Sequence, residues 1–209
     1  MNINEIFYSL QGEGQSSGLP TIFIRTTGCN LRCSYCDTTY ANEQGEDLSI
    51  DAIIKKIQHY SCNTVCLTGG EPLIQNETEL LIDQLIDQGY HCSIETNGSK
   101  NIASFINKKS LSISLDIKCP SSTMHEHMDL ENIKLLRSHD QLKFIIGTKD
   151  DFNHAKKIIR HFNPTCLIFF QPVWGSSTTQ LADWILKENL PVHLGLQLHK
   201  LIWGKETHR

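Results

Sequence analysis

The segment Thr64-Val65-Cys66-Leu67-Thr68-Gly69-Gly70-Glu71-Pro72 decides how this chain folds. Its first four residues are β-branched or apolar, which reads as a short strand buried on both faces. The strand runs into a Gly-Gly turn and a polar loop. Upstream, Ile50, Ile53, Ile54 and Ile57 recur at helical spacing, with Ser49 or Asp51 available as a cap. Downstream, Leu81, Leu85 and Ile86 continue the pattern after Asn76 and stop at Gly89. Helix, strand, loop and helix in that order form the repeating unit of a parallel α/β sheet.

The unit recurs outward in both directions. Strand patterns occupy Thr21 to Arg25, Tyr90 to Glu95, Leu111 to Ile117, Leu142 to Ile146, Cys166 to Phe170 and Val192 to Leu198. Helical stripes occupy Ala155, Ile158, Ile159 and Phe162, then Leu181, Ala182, Ile185 and Leu186. About six βα units fit, whereas a complete eightfold barrel takes about 250 residues. The 209 residues therefore predict an α/β fold with a partial, open βα barrel in one domain, residues 1–209. A flat doubly wound sheet is the alternative. Polar and glycine-rich segments follow the strands at Gly28-Cys29, Thr68 to Pro72, Thr96-Asn97-Gly98, Asp116 to Lys118 and Gln171 to Trp174. Parallel strands bring such ends to one face, where ligand sites form.

Composition narrows the class. The 19 Lys and Arg against 23 Asp and Glu leave a net charge of -4, which argues against a general nucleic-acid surface. The longest apolar run, Cys166 to Phe170, is far too short to span a bilayer. Met1-Asn2-Ile3-Asn4-Glu5 lacks the start of a signal peptide. A cytoplasmic location with no membrane partner is expected.

Eight cysteines in a reducing compartment point to metal or catalysis before disulfides. Cys66, Cys92 and Cys166 lie in apolar runs and read as small buried hydrophobes. Cys29, Cys33 and Cys36 stand at CxxxCxxC spacing on a loop. A four-iron cluster normally takes four thiolates, so three leave one iron open to a small molecule. The alternative is structural zinc in a binding module. That site would need a fourth ligand from Cys62, Cys119 or a His, since there is no second CxxC pair.

The cysteine loop after a first strand resembles the radical S-adenosylmethionine (SAM) superfamily, and Gly69-Gly70-Glu71-Pro72 matches its GGEP motif. Three further blocks narrow the resemblance: Glu5 to Gly14 with Gln11-Gly12-Glu13-Gly14, Gly18 to Arg25, and Gly28 to Thr38. With Leu196-Gln197-Leu198-His199-Lys200, they look like the 7-carboxy-7-deazaguanine synthase family over most of the chain. The family converts 6-carboxy-5,6,7,8-tetrahydropterin to 7-carboxy-7-deazaguanine with loss of ammonia, and its product feeds deazapurine pathways such as queuosine. SAM is regenerated: a deoxyadenosyl radical takes a hydrogen from C6 of the substrate and later returns one.

The resemblance implies that Cys29, Cys33 and Cys36 hold a 4Fe-4S cluster and that Thr38 binds Mg2+. Read by itself, Thr38 is a loop threonine. SAM would meet Tyr35, Cys36, Asp37, Gly70, Glu71, Ser114, Asp116, Lys118, Gln171 and Trp174, with Glu95 and Asn97 weaker candidates for its ribose. The substrate would meet Leu10, Gln11, Gly12, Glu13, Arg25 and Thr68. Gln11 to Glu13 offer an amide, backbone groups and a carboxylate to a pterin edge. Arg25 would take the substrate carboxylate, or else a salt bridge to Glu5 or Glu13. The family also implies an electron donor such as flavodoxin or ferredoxin, and a homodimer.

Ser114-Leu115-Asp116-Ile117-Lys118 departs from the Ser-Pro-Lys segment of many members and resembles the Asp-x-Lys of glycyl-radical-enzyme activating proteins, the competing enzyme reading. Gly204 to Arg209 extend past the usual ending and either cover the site or fray. Met124-His125-Glu126-His127 reads as a solvated loop or helix start, and Lys55-Lys56 and Lys108-Lys109 as solvated faces.

Overall fold

A computed structural model of the chain describes residues 1–204, so the tail from Lys205 to Arg209 lies outside the described residues. One sheet carries nine strands: β1 (Asn2–Leu10), β2 (Pro20–Thr26), β3 (Glu46–Asp47), β4 (Thr64–Gly69), β5 (His91–Thr96), β6 (Leu111–Lys118), β7 (Gln141–Ile146), β8 (Leu167–Pro172) and β9 (His193–Leu194). Their order is β3-β1-β2-β4-β5-β6-β7-β8-β9. From β2 to β9 every neighbour is parallel, as expected from the βα rhythm. The helices are α1 (Ile50–Ile57), α2 (Thr78–Asp87), α3 (Lys149–Phe162), α4 (Thr178–Lys187) and α5 (Leu198–Trp203). Ser49 caps α1, its side chain accepting the Ala52 N–H.

Three elements differ from the sequence reading. β1 is a full strand antiparallel to β2, although its mixed polarity hides it. The last strand shrinks to His193–Leu194, and Leu198 begins α5 instead. The connections from β5 to β6 and from β6 to β7 contain no α-helix, only turns and short 3-10 segments. Met124 to His127 fall in one of these, a 3-10 turn at His125–His127.

The strands also alternate more than their apolar content suggests. Along β6, Ile113, Leu115 and Ile117 are buried in the apolar layer under the helices, with Leu142, Phe144, Phe152 and Leu81. Ser114, Asp116 and Lys118 share the other face, because strand side chains alternate. That inner face is polar. A flat sheet would hold β2 and β8 roughly 24 Å apart, at about 4.8 Å per strand. Yet Arg25 on β2 and Gln171 on β8 line the same cavity of about 360 Å³. The sheet is therefore curled into an open barrel, not laid flat.

The loop between β1 and β2 closes the barrel from below. It leaves β1 at Leu10 and returns at Pro20, the N-terminal end of β2. On the way Gln11 donates to Glu95 on β5 at 3.1 Å. Glu13 meets Lys143 on β7 at 2.7 Å. The Gln15 N–H donates to the Gln141 Oε1 at 2.8 Å, and the Leu198 N–H to the Gly12 carbonyl at 2.8 Å. A Cβ on Gly12 would lie 2.0 Å from the His199 ring, so only glycine lets α5 come this close.

Candidate active site

The cysteine loop follows β2 at the opposite, C-terminal end of the barrel. Gly70 lies flat against it: the Glu71 N–H donates to the Gly28 carbonyl at 2.8 Å, and a Cβ on Gly70 would meet that oxygen at 2.0 Å. Cys36 N–H donates to the Cys33 carbonyl at 3.2 Å, which tightens the turn. Ser34 ties the loop to the end of β6 through its N–H and hydroxyl, on the carbonyls of Ser122 and Ser121. Cys29, Cys33 and Cys36 all line the cavity.

Donors and a cation lie beside these sulfurs. Cys29 Sγ accepts from the Leu31 N–H at 3.4 Å and from the Asn97 amide at 3.6 Å. Burial pushes the Cys33 thiol up, and the Lys118 ammonium opposes it. Cys62 lies at the other end of the sheet, on the carbonyls of Pro20 and Thr64. Cys66, Cys92, Cys119 and Cys166 are buried free thiols, and none lines the cavity.

Two cavity-lining residues carry a buried polar atom with no hydrogen-bond partner, the Tyr35 hydroxyl and the Gln171 Oε1, while Asp116 Oδ1 has only the Lys143 ammonium near it. Burial raises the Tyr35 phenol well above its ordinary value, so it stays a neutral donor. Unpaired polar atoms at a cavity wall suit a polar ligand that supplies their partners. The three thiols, the Gly70 cradle and these two atoms fit a 4Fe-4S cluster with SAM against it.

Deeper in the cavity the charges form a chain. Asp116 Oδ2 takes Lys118 at 2.8 Å and Asp116 Oδ1 lies 3.1 Å from Lys143. Lys143 reaches Glu13, whose other oxygen accepts from Gln197 at 2.9 Å. Burial alone would raise Asp116, but Lys118 and Lys143 hold it below the usual carboxylate range. Glu95 accepts from Thr68 at 2.9 Å and from Gln11 at 3.1 Å. At the rim, Lys200 pairs with Asp37, whose carboxyl burial would raise but which that pairing lowers to about 2. Thr38 donates to Asp37 at 3.0 Å.

The structure brings together most residues singled out in the sequence. Leu10, Gln11, Gly12, Glu13, Arg25, Tyr35, Cys36, Asp37, Thr38, Thr68, Gly70, Asp116, Lys118, Gln171 and Trp174 line one cavity, with Glu95 and Asn97. Arg25 also makes the alternative contact, its Nε 2.6 Å from Glu5. Two expectations need correction. Glu71 is fully buried and turned inward, accepting the Leu73 N–H at 2.9 Å, the Thr96 hydroxyl at 2.8 Å and the Asn97 N–H at 2.6 Å. Ser114 sits two residues below Asp116, so its hydroxyl meets Gln141 at 2.8 Å in a separate small void under the β1–β2 loop. Neither lines the main cavity.

Sequence reading missed Lys143, and assigned no role to Gln197 and His199, although all three line the cavity. A lysine inside Leu142-Lys143-Phe144-Ile145-Ile146 was the available signal. Lys108 is also less solvated than expected, pairing with Asp83 and, at 3.3 Å, with Glu79.

Comparison with known proteins agrees with this arrangement. Residues 23–163 match the family model of the radical SAM superfamily. A 7-carboxy-7-deazaguanine synthase of Methanospirillum hungatei JF-1 is 44% identical over 203 residues, 97% of this chain and 85% of that one. The enzyme of that name from Thermoplasma acidophilum is 35% identical over 204 residues, covering 98% of each chain. The crystal structure of QueE from Escherichia coli superposes with a TM-score of 0.77 at 25% identity, covering 95% of this chain and 94% of that one. SuiB from Streptococcus suis shares the fold alone, with a TM-score of 0.61 and 11% identity over 82% of this chain and 47% of that one.

Proposed function

The chain belongs to the 7-carboxy-7-deazaguanine synthase family of radical SAM enzymes, and from that membership we propose how its residues act. The reaction is the ring contraction of 6-carboxy-5,6,7,8-tetrahydropterin to 7-carboxy-7-deazaguanine, with release of ammonia, on the way to deazapurines such as queuosine. The observation that carries this reading is the division of one cavity into a thiol-lined roof and a hydrogen-bonding floor.

Cys29, Cys33 and Cys36 hold the cluster. Tyr35, Cys36, Asp37, Gly70, Asp116, Lys118, Gln171 and Trp174 enclose SAM. When bound, the cluster and SAM would supply the radical chemistry of the reaction. The protein binds and aims what reacts. Gln11, Gly12 and Glu13 receive the amino, N–H and carbonyl edge of the pterin. Thr68 and Glu95 flank the ring, and Leu10 supports the floor. Arg25, already oriented by Glu5, offers its guanidinium to the substrate carboxylate. Thr38 is the residue that would hold Mg2+, through its hydroxyl, and the ion would supply charge to bind the substrate.

The same reading makes residues 1–209 one working domain that acts as a homodimer in the cytoplasm, reduced by flavodoxin or ferredoxin. Among the described residues no helix is long and apolar enough to cross a membrane. The deciding experiment is anaerobic turnover with SAM, reductant, Mg2+ and carboxytetrahydropterin. Formation of 7-carboxy-7-deazaguanine and ammonia is expected. A cluster-loaded protein that makes neither, but raises a glycyl radical on a protein partner, would favour the activating-enzyme reading.

A further inference from the structure

Lys143 is the cation that sequence reading missed, and its position gives it a task. Its side chain is 5% exposed, and its ammonium lies 2.7 Å from Glu13 Oε2 and 3.1 Å from Asp116 Oδ1. Gln197 holds the other Glu13 oxygen, and the Glu13 N–H donates to the Gln11 Oε1 at 3.2 Å. Glu13 is thus gripped by β7, by the segment before α5 and by its own loop. Each carboxylate oxygen has two lone pairs, so these contacts leave acceptor capacity facing the cavity.

We propose that Lys143 is a positioning residue for substrate recognition: it keeps Glu13 ionised and aimed, so that Glu13 accepts from the amino and N–H donors of the pterin edge. The inference rests on the pterin reading above. A protonated Glu13 would turn one acceptor into a donor facing donors. The charges explain why Lys143 is needed. Glu13 and Asp116 are two largely enclosed carboxylates, 15% and 16% exposed, balanced by Lys143 and Lys118. Burial pushes the Glu13 carboxyl up and so does Asp116, but Lys143 and Gln197 prevail and hold it low. Without Lys143 the two upward influences remain.

The other titratable groups around Glu13 do not substitute. His199 on α5 faces it, but burial lowers that imidazole, so it is neutral at its ordinary value and above and offers Glu13 no charge near neutral pH. Glu95 on β5 acts on Lys143 with the same sign as Glu13 and Asp116. Lys118 is committed to Asp116. Lys143 itself stays charged, since those surrounding carboxylates outweigh its burial.

The test is equilibrium binding of carboxytetrahydropterin to the cluster-loaded enzyme, anaerobically and without reductant so that no turnover occurs. In the unmodified enzyme the Kd should be nearly constant from about pH 7 to about pH 9. Lys143→Met should weaken binding roughly tenfold or more at about pH 7 and recover most of the loss by about pH 9, as Glu13 ionises. Lys143→Arg should restore the flat profile. Infrared spectroscopy supplies a readout without substrate. Lys143→Met should show a protonated-carboxyl band near neutral pH, absent from the unmodified enzyme and from the charge-balanced variant Glu13→Gln/Lys143→Met.

A loss of affinity that is the same at every pH, or no new carboxyl band, would overturn the role given to Lys143. An unmodified enzyme that does not bind the pterin at all would overturn the substrate reading instead. The infrared comparison would then still decide whether Lys143 sets the charge of Glu13. If Lys143→Met does not fold, the charge-balanced variant carries the test. It should fold and bind the pterin weakly at every pH, and tight binding by it would overturn the proposal.

Discussion

The Glu71 carboxylate accepts the backbone N–H of Asn97 at 2.6 Å and so joins the loop after β4 to the loop after β5. With the Leu73 N–H and Thr96 hydroxyl it satisfies three donors. Glu71→Ala should therefore cost about 2–5 kcal/mol of stability by leaving buried N–H groups unpaired. Denaturant unfolding measures this. A variant of unchanged stability that loses SAM binding would return Glu71 to the SAM role expected from sequence.

Cys29→Ala, Cys33→Ala and Cys36→Ala should each lose the four-iron cluster and all turnover. Cys92→Ala and Cys166→Ala remove buried thiols outside the cavity, so each should keep cluster and activity while losing roughly 1 kcal/mol of stability. Iron content, the visible spectrum and product formation separate the two groups. Full activity in any of the first three would refute the cluster assignment.

Arg25→Lys keeps the charge but loses the planar fork that holds Glu5 while facing the cavity. The substrate KM should rise roughly tenfold, one charge-assisted hydrogen bond's worth, with SAM affinity nearly unchanged. A fall in SAM affinity alone would place Arg25 in the wrong half of the site.

Thr38→Ala should make activity less responsive to Mg2+ and slow product formation, with cluster content and SAM binding intact. Water can replace one hydroxyl ligand, so the loss should be partial. Turnover that is equally fast in a chelator, in the unmodified enzyme, would remove Mg2+ and Thr38 from the reaction.

Asp37 carries a pH dependence through Lys200. Its folded carboxyl is depressed from 3.8 to about 2. A depressed carboxyl stabilises the fold above the unfolded value and loses that stabilisation as pH falls toward the folded one. The side chain is 51% exposed, so solvent screening keeps the effect well under about 1 kcal/mol. Unfolding midpoints of the cluster-free chain and its Lys200→Met variant should differ by a constant amount above about pH 5, and the difference should shrink from about pH 4 and vanish at about pH 2. A difference that grows as pH falls would contradict the pairing.

Sequence alone determined the parallel βα rhythm, the thiol loop and the Gly-Gly turn after β4. These depend on short-range facts, apolar periodicity, cysteine spacing and turn residues, whereas the close approach of Gly70 to the Gly28 carbonyl is a tertiary contact. β1 stayed hidden because its strand character comes from pairing with β2 and not from its own pattern. Glu71 and Ser114 were misplaced for a related reason. A motif places a residue in a loop or on a strand face, but not at a depth, and two residues along β6 separate Asp116 in the cavity from Ser114 beneath its floor. Only the curl of the sheet brought Glu13 to Lys143, 130 positions away along the chain. That contact is between charges, which carry no periodicity, so tertiary structure alone decided it.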